Sequence, residues 1–146
     1  TVRLMLRNGF NVLNSRVLVL GLTFKENCPD LRNSKVADLV DELKSFGCEV
    51  LCHDPVANSD DAIHEYGISL VEFDSIPIVD AVVLAVSHQE YLEMGFDKLL
   101  LKLKKNGVFV DVKSTFIELQ DENIPFEKSS FSAALKKSLM DAVNKI

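Results

Sequence analysis

The run Arg16-Val17-Leu18-Val19-Leu20-Gly21-Leu22-Thr23-Phe24-Lys25-Glu26-Asn27-Cys28-Pro29-Asp30-Leu31-Arg32-Asn33-Ser34-Lys35-Val36 decides the reading of this chain. Its first part, Val17 to Leu20, is a continuous apolar run closed by Gly21, the pattern of a central parallel strand covered on both faces. A loop of about a dozen residues follows, longer than the usual strand-to-helix connection. Beyond it Val36, Leu39, Val40, Leu43 and Phe46 form one apolar stripe at helical spacing, with Asn33 or Ser34 placed to cap the start and Gly47 to end it. A buried strand, a long loop and an amphipathic helix are the opening of an α/β unit.

Reading outward, Val2, Met5, Leu6, Gly9, Val12 and Leu13 recur at helical spacing, so Thr1 to Leu13 reads as the tail of a helix that begins upstream. Downstream, Glu49 to Cys52 is expected as a second strand, Asp60 to Tyr66 as a short helix, Ile68 to Val71 as a third strand and Ala81 to Val86 as a fourth. Tyr91 to Met94 and Phe96 to Lys105 are expected as helices, the second with Lys98, Lys102, Lys104 and Lys105 on a solvated basic face. Asn106-Gly107 then marks a turn into a strand over Val108 to Val112. Phe131 to Ile146 carries Leu135, Leu139, Met140 and Val143 at helical spacing and is expected as a peripheral helix. Alternating strands and helices predict a doubly wound, Rossmann-like α/β fold, mainly parallel, with helices on both faces.

The 146 residues are 47% hydrophobic and 26% charged, enough for one compact domain with a single core. No apolar run approaches the roughly 20 residues of a membrane span, and no membrane partner is expected. A net charge of −6 argues against a broad nucleic-acid surface, so any anion site must be local. The chain opens on Thr1 without a signal-peptide pattern, which reads as an excised piece of a longer protein. Cys28, Cys48 and Cys52 are odd in number and lack CxxC spacing, as expected for reduced thiols in the cytoplasm.

In an open α/β sheet ligands bind beyond the carboxyl ends of the strands, which makes Gly21 to Asn33 the candidate site. Lys25 and Arg32 stand near the start of the next helix, where free N–H groups already favour an anion, and a phosphate or diphosphate is the natural guest. The alternative is that both cations pair with Glu26 and Asp30 in a solvated loop. Neither G-x-G-x-x-G nor a P-loop is present. Asp54 stands where an acid could bind a ribose, but Pro55 directly after it favours a structural turn. His53, His64 and His88 lack metal-ligand spacing, and none is put forward as catalytic.

The segment Val17 to Val36 resembles the UDP-glucose/GDP-mannose dehydrogenase family, and most closely its UDP-N-acetylhexosamine 6-dehydrogenase branch. The resemblance continues through Cys52-His53-Asp54-Pro55 and Val110-Asp111-Val112-Lys113 and covers the chain to about residue 115. It implies that residues 1–14 are the end of a connecting helix and residues 15–146 the carboxy-terminal UDP-sugar-binding domain. The full-length enzyme would be a homodimer making precursors for surface polysaccharide. It also implies that Phe24, Lys25 and Lys113 bind the nucleotide sugar, while Arg32 reaches toward NAD, held mainly by an amino-terminal domain.

Family members oxidise the sugar C6 alcohol to a carboxylate in two hydride transfers to NAD, through a thiohemiacetal and a thioester on a cysteine. None of Cys28, Cys48 or Cys52 lies in the context of that cysteine, so the chain alone is expected to be inactive. Two alternatives stay open: a self-contained NAD-binding module, favoured by Asp54, and a non-enzymatic α/β interaction domain resembling a receiver. Titration with NAD and UDP separates the first from the leading reading, and the second lacks the acidic cluster that a divalent cation needs.

Overall fold

The computed structural model describes residues 1–116, and the helix expected over Phe131 to Ile146 lies outside the described residues. The elements in chain order are α1 (Val2–Arg7), β1 (Arg16–Leu20), α2 (Lys35–Ser45), β2 (Glu49–His53), α3 (Ser59–Tyr66), a 3₁₀ turn (Phe73–Ser75), β3 (Val79–Leu84), α4 (Gln89–Met94), α5 (Phe96–Leu100) and β4 (Leu103–Asp111). The strands form one sheet in the order β2-β1-β3-β4, and every pairing is parallel. The chain thus moves outward on one side of β1, then crosses to the other. That reversal makes the ends of β1 and β3 a topological switch point.

Strand β1 supplies both halves of the core because successive side chains point to opposite faces. Val17 and Val19 join Met5 of α1, Val40 and Leu43 of α2 and Ala62 of α3 on one face. Leu18 and Leu20 join Tyr91 of α4, Leu99 and Leu100 of α5 and Phe109 of β4 on the other. Helices therefore cover both faces, as the alternating pattern predicts. Ser34 caps α2, its hydroxyl accepting from the Val36 N–H at 3.2 Å while donating to the Leu22 carbonyl at 2.5 Å.

Several boundaries differ from expectation. Helix α1 ends at Arg7, followed by Gly9 with φ of +78°, so the helical spacing of Val12 and Leu13 belongs to an irregular segment. Ile68 to Val71 is not a strand: Leu70 makes a single bridge to Cys52. Gly67, in the left-handed conformation, ends α3 and turns Ile68 straight into the core, which leaves too little extended chain for a ladder. Strand β3 starts at Val79, earlier than expected, and Ala85 and Val86 bend away so that both N–H groups meet the Leu20 carbonyl.

The expectation for Phe96 to Lys105 is corrected most. Only Phe96–Leu100 is helical, and β4 begins at Leu103, running through Asn106-Gly107. Leu103 pairs with Val79 and Val108 with Ala81, so Lys104 to Gly107 stand opposite the single residue Asp80 as a bulge. Asn106 takes φ of +65° there, and the Lys104 ammonium donates to Asp80 Oδ1 at 2.6 Å. The Asn-Gly signal marks this bulge inside a strand rather than a turn before one.

Candidate functional site

The carboxyl ends of β1, β2, β3 and β4 bring Gly21, Asp54, His88 and Lys113 to the same edge of the sheet. Gly21 is required by space as well as conformation. Its φ is +88°, and a Cβ there would lie 2.5 Å from Val86 Cβ and 2.7 Å from the Val86 carbonyl oxygen. The loops leaving β1 and β3 thus touch backbone to backbone, the close approach that only glycine permits.

Asp54 anchors the root of the loop that leaves β1. Its side chain is wholly buried. Oδ1 accepts the N–H groups of Val56 and Ala57, both at 2.9 Å, closing the turn that Pro55 predicts. Oδ2 accepts from the Leu22 N–H at 2.6 Å, the Thr23 N–H at 3.0 Å and His88 Nε2 at 3.1 Å. Burial pushes the carboxyl's pKa up, but the bonds from His88, Leu22, Val56 and Thr23 outweigh it and hold it well below the usual carboxylate range. With both oxygens engaged internally, Asp54 is not available to a ribose, and the cofactor-module reading loses the residue that favoured it.

His88 is fully buried, and its surroundings fix its tautomer. The Asn27 N–H donates to Nδ1 at 3.0 Å, so Nδ1 carries the lone pair and Nε2 the proton directed to Asp54. Thr23 Oγ1, also 3.1 Å from Nε2, shares that proton with Asp54 as a second acceptor and donates its own to the Lys25 carbonyl at 3.2 Å. Asn27, with φ of +56°, turns its side-chain oxygen to accept the Gln89 N–H at 2.7 Å, at the start of α4. The long loop is thereby fastened to the β3 side of the sheet at Thr23 and Asn27. No local spacing in the sequence marks His88, because its partners lie 34 to 65 positions away.

His53, by contrast, ends β2 inside the core, with Nδ1 2.8 Å from the Tyr91 hydroxyl. That hydroxyl donates to the His53 carbonyl at 2.9 Å. Burial lowers the pKa of His53 and raises that of Tyr91.

The expected binding residues all lie on this edge, in different states. Phe24 is 58% exposed although its N–H is bound to the Asp30 carbonyl at 2.7 Å, closing the loop beneath it. Lys25 is exposed and, among the described residues, makes no ion pair, though its charge bears on Asp30. Arg32 is 79% exposed and forks onto Asp30, Nε to Oδ1 at 3.0 Å and Nη2 to Oδ2 at 2.9 Å. Those bonds hold the Asp30 carboxyl at a pKa of about 2. Lys113 pairs with Glu26, linking the loop after β4 to the loop after β1. The solvated-loop alternative therefore describes Arg32 but not Lys25.

Cys28 is half-buried in the loop, and Cys48 and Cys52 are buried thiols. Burial pushes Cys52 up to about 12, far from the thiolate a nucleophile needs. Among the described residues no group of His, Cys, Asp and Glu is arranged to hold a metal ion, and no helix is long and apolar enough to cross a membrane.

Residues 18–118 match the UDP-glucose/GDP-mannose dehydrogenase family, UDP binding domain. The chain is 45% identical over 112 residues to a UDP-N-acetyl-D-glucosamine 6-dehydrogenase of Pseudomonas aeruginosa and 39% identical over 112 residues to the Salmonella typhi enzyme of the same name. Each match covers 77% of this chain and 26% of the relative, so the chain spans about a quarter of their length. A UDP-glucose dehydrogenase from Pyrobaculum islandicum superposes with a TM-score of 0.55 at 25% identity, covering 76% of this chain and 28% of that one. The UDP-N-acetyl-mannosamine dehydrogenase Cap5O from S. aureus has the same fold, with a TM-score of 0.57 at 22% identity over 90% of this chain and 27% of its own. The chain belongs to the UDP-glucose/GDP-mannose dehydrogenase family and carries its UDP binding domain.

Proposed function

We propose that this chain is the substrate-holding part of an NAD-dependent UDP-sugar 6-dehydrogenase, and that the loop from Gly21 to Asn33 binds the UDP-sugar. Residues 1–14, helical only as far as Arg7, are then the end of the segment connecting it to the cofactor and catalytic domains. The observation that carries this reading is Lys25: an exposed cation at the switch point, without a carboxylate partner among the described residues, beside the exposed ring of Phe24. A diphosphate supplies the charge Lys25 lacks, and Phe24 offers an apolar face to the remainder of the ligand. The buried Asp54 and His88 hold this loop without being used up by the ligand.

Lys113 serves the same ligand once it is shared with, or released from, Glu26. Arg32, already oriented by Asp30, faces solvent and is available to NAD, which is held mainly by an amino-terminal domain of the full-length enzyme. When bound, NAD supplies the hydride acceptor that takes the C6 alcohol to a carboxylate. The chemistry requires a cysteine from outside this chain, and the substrate reading favours a UDP-N-acetylhexosamine. Making precursors of surface polysaccharide in the cytoplasm, as a homodimer, is the corresponding role of the full-length enzyme.

Calorimetric titration with UDP, UDP-N-acetylglucosamine and NAD tests the assignment. UDP ligands are expected to bind, and Lys25→Ala to weaken them by about tenfold, the scale of one charge-assisted contact. Binding of NAD but not UDP would overturn the reading. Reduction of NAD by this chain alone with a UDP-sugar would overturn the claim that it lacks the catalytic group.

A further inference from the structure

We infer that His88 is the positioning residue of the nucleotide loop: it holds Thr23 and Asn27, and with them Phe24 and Lys25, in a binding arrangement while contacting no ligand itself. This rests on the UDP-binding reading of that loop. Phe24 and Lys25 are exposed and lie between two points of attachment, Thr23 and Asn27. Both points converge on one imidazole: Thr23 Oγ1 at 3.1 Å from Nε2 and the Asn27 N–H at 3.0 Å from Nδ1.

The arrangement needs an acceptor at Nδ1 and a donor at Nε2, which only the neutral Nε2–H tautomer offers. Asp54 enforces it from below, because its Oδ2 accepts the Nε2 proton at 3.1 Å and also takes the Leu22 and Thr23 N–H groups at the root of the loop. The positioned segment is then continuous with α4, since Asn27 accepts the Gln89 N–H. Ordering Phe24 and Lys25 before the ligand arrives removes a cost that binding would otherwise bear.

Three readouts on the full 146-residue chain test this. Nitrogen-15 NMR of the imidazole is expected to show a protonated Nε2 and a bare Nδ1 in the wild type. Amide exchange at Asn27 is expected to be slow, and to rise by about tenfold or more in His88→Gln, which can reach Asp54 but offers no acceptor at the Nδ1 position. His88→Asn, which keeps an acceptor there, is expected to retain more of that protection. UDP affinity should follow Asn27 exchange across the variants, falling about tenfold in His88→Gln, rather than follow the thermal midpoint.

An Nδ1–H tautomer in the wild type overturns the inference, and that measurement does not depend on any variant folding. A folded His88→Gln with unchanged Asn27 exchange and unchanged UDP affinity overturns it as well. Wild-type chain that fails to bind UDP overturns the UDP reading instead, with the loop-holding role still decided by the tautomer and the exchange rates.

Discussion

Replacing Gly21 with alanine tests the contact on which the site is built. Two costs add. A side chain held at φ of +88° is strained by roughly 1–2 kcal/mol. The new Cβ would also lie 2.5, 2.7 and 2.9 Å from Cβ, O and Cα of Val86, two of them backbone atoms that cannot swing aside. Restoring ordinary contact requires the loops leaving β1 and β3 to separate by about 1 Å. Overpacking of that kind costs about 1–3 kcal/mol, so the total is about 2–5 kcal/mol. In urea the unfolding midpoint should fall by roughly 1–2 M at an unchanged slope. The displaced loop carries Leu22 and Thr23 off Asp54, so UDP affinity should drop together with stability. A midpoint within about 0.3 M of the wild type, with the same slope, would refute the argument that these backbones cannot part cheaply.

Other substitutions probe the remaining contacts. Asp54→Asn exchanges an acceptor oxygen for a donor that must face N–H groups on either side, and denaturant titration should record a loss of about 3 kcal/mol or more. Glu26→Gln should leave stability within about 1 kcal/mol, since its ion pair with Lys113 is partly exposed, yet tighten UDP binding as Lys113 is released; weaker binding would mean that Lys113 needs Glu26 to be held in place. Acid should destabilise the fold in two stages. His53 is kept neutral by burial, its pKa lowered on folding, so stability declines as pH falls below the unfolded value of about 6.5. Asp54, also lowered, contributes fully above its unfolded value of about 3.9, and that contribution is lost as pH falls further, a decline that unfolding at stepped pH should resolve.

The central strand and the helix after the loop were legible because their signals are local. Val17 to Leu20 match a strand buried on both sides, and the stripe through Val40 and Leu43 states which face of α2 is inward; of the two candidate caps Ser34 serves, and Phe46, counted in that stripe, lies exposed just past the helix. Phe96 to Lys105 misled because Leu99, Leu100, Leu101 and Leu103 are compatible with two periods at once. Pairing with β3, contributed by residues about 24 positions earlier, decides the matter for Leu103 onward. Tertiary pairing overrides propensity in such segments. At the site, Lys25 and Arg32 were visible as cations in a loop, but which of them Asp30 would neutralise depends on how the loop folds back on itself. Asp54 read correctly as a turn residue, while its second role was invisible without His88, whose partners arrive from β2 and from the loop between β1 and α2.

The bulge in β4 divides that strand into two independent registers. Below it Leu103 faces Val79, and above it Val108 to Asp111 face Ala81 to Leu84 in unbroken step. Chain added or removed among Lys104 to Asn106 can be absorbed where four residues already stand opposite one, without moving Asp111 or Lys113 along β3. The strand therefore works as a slip joint: its lower end is expected to accept a change of length or a grafted peptide, while its upper end keeps Lys113 in reach of Glu26.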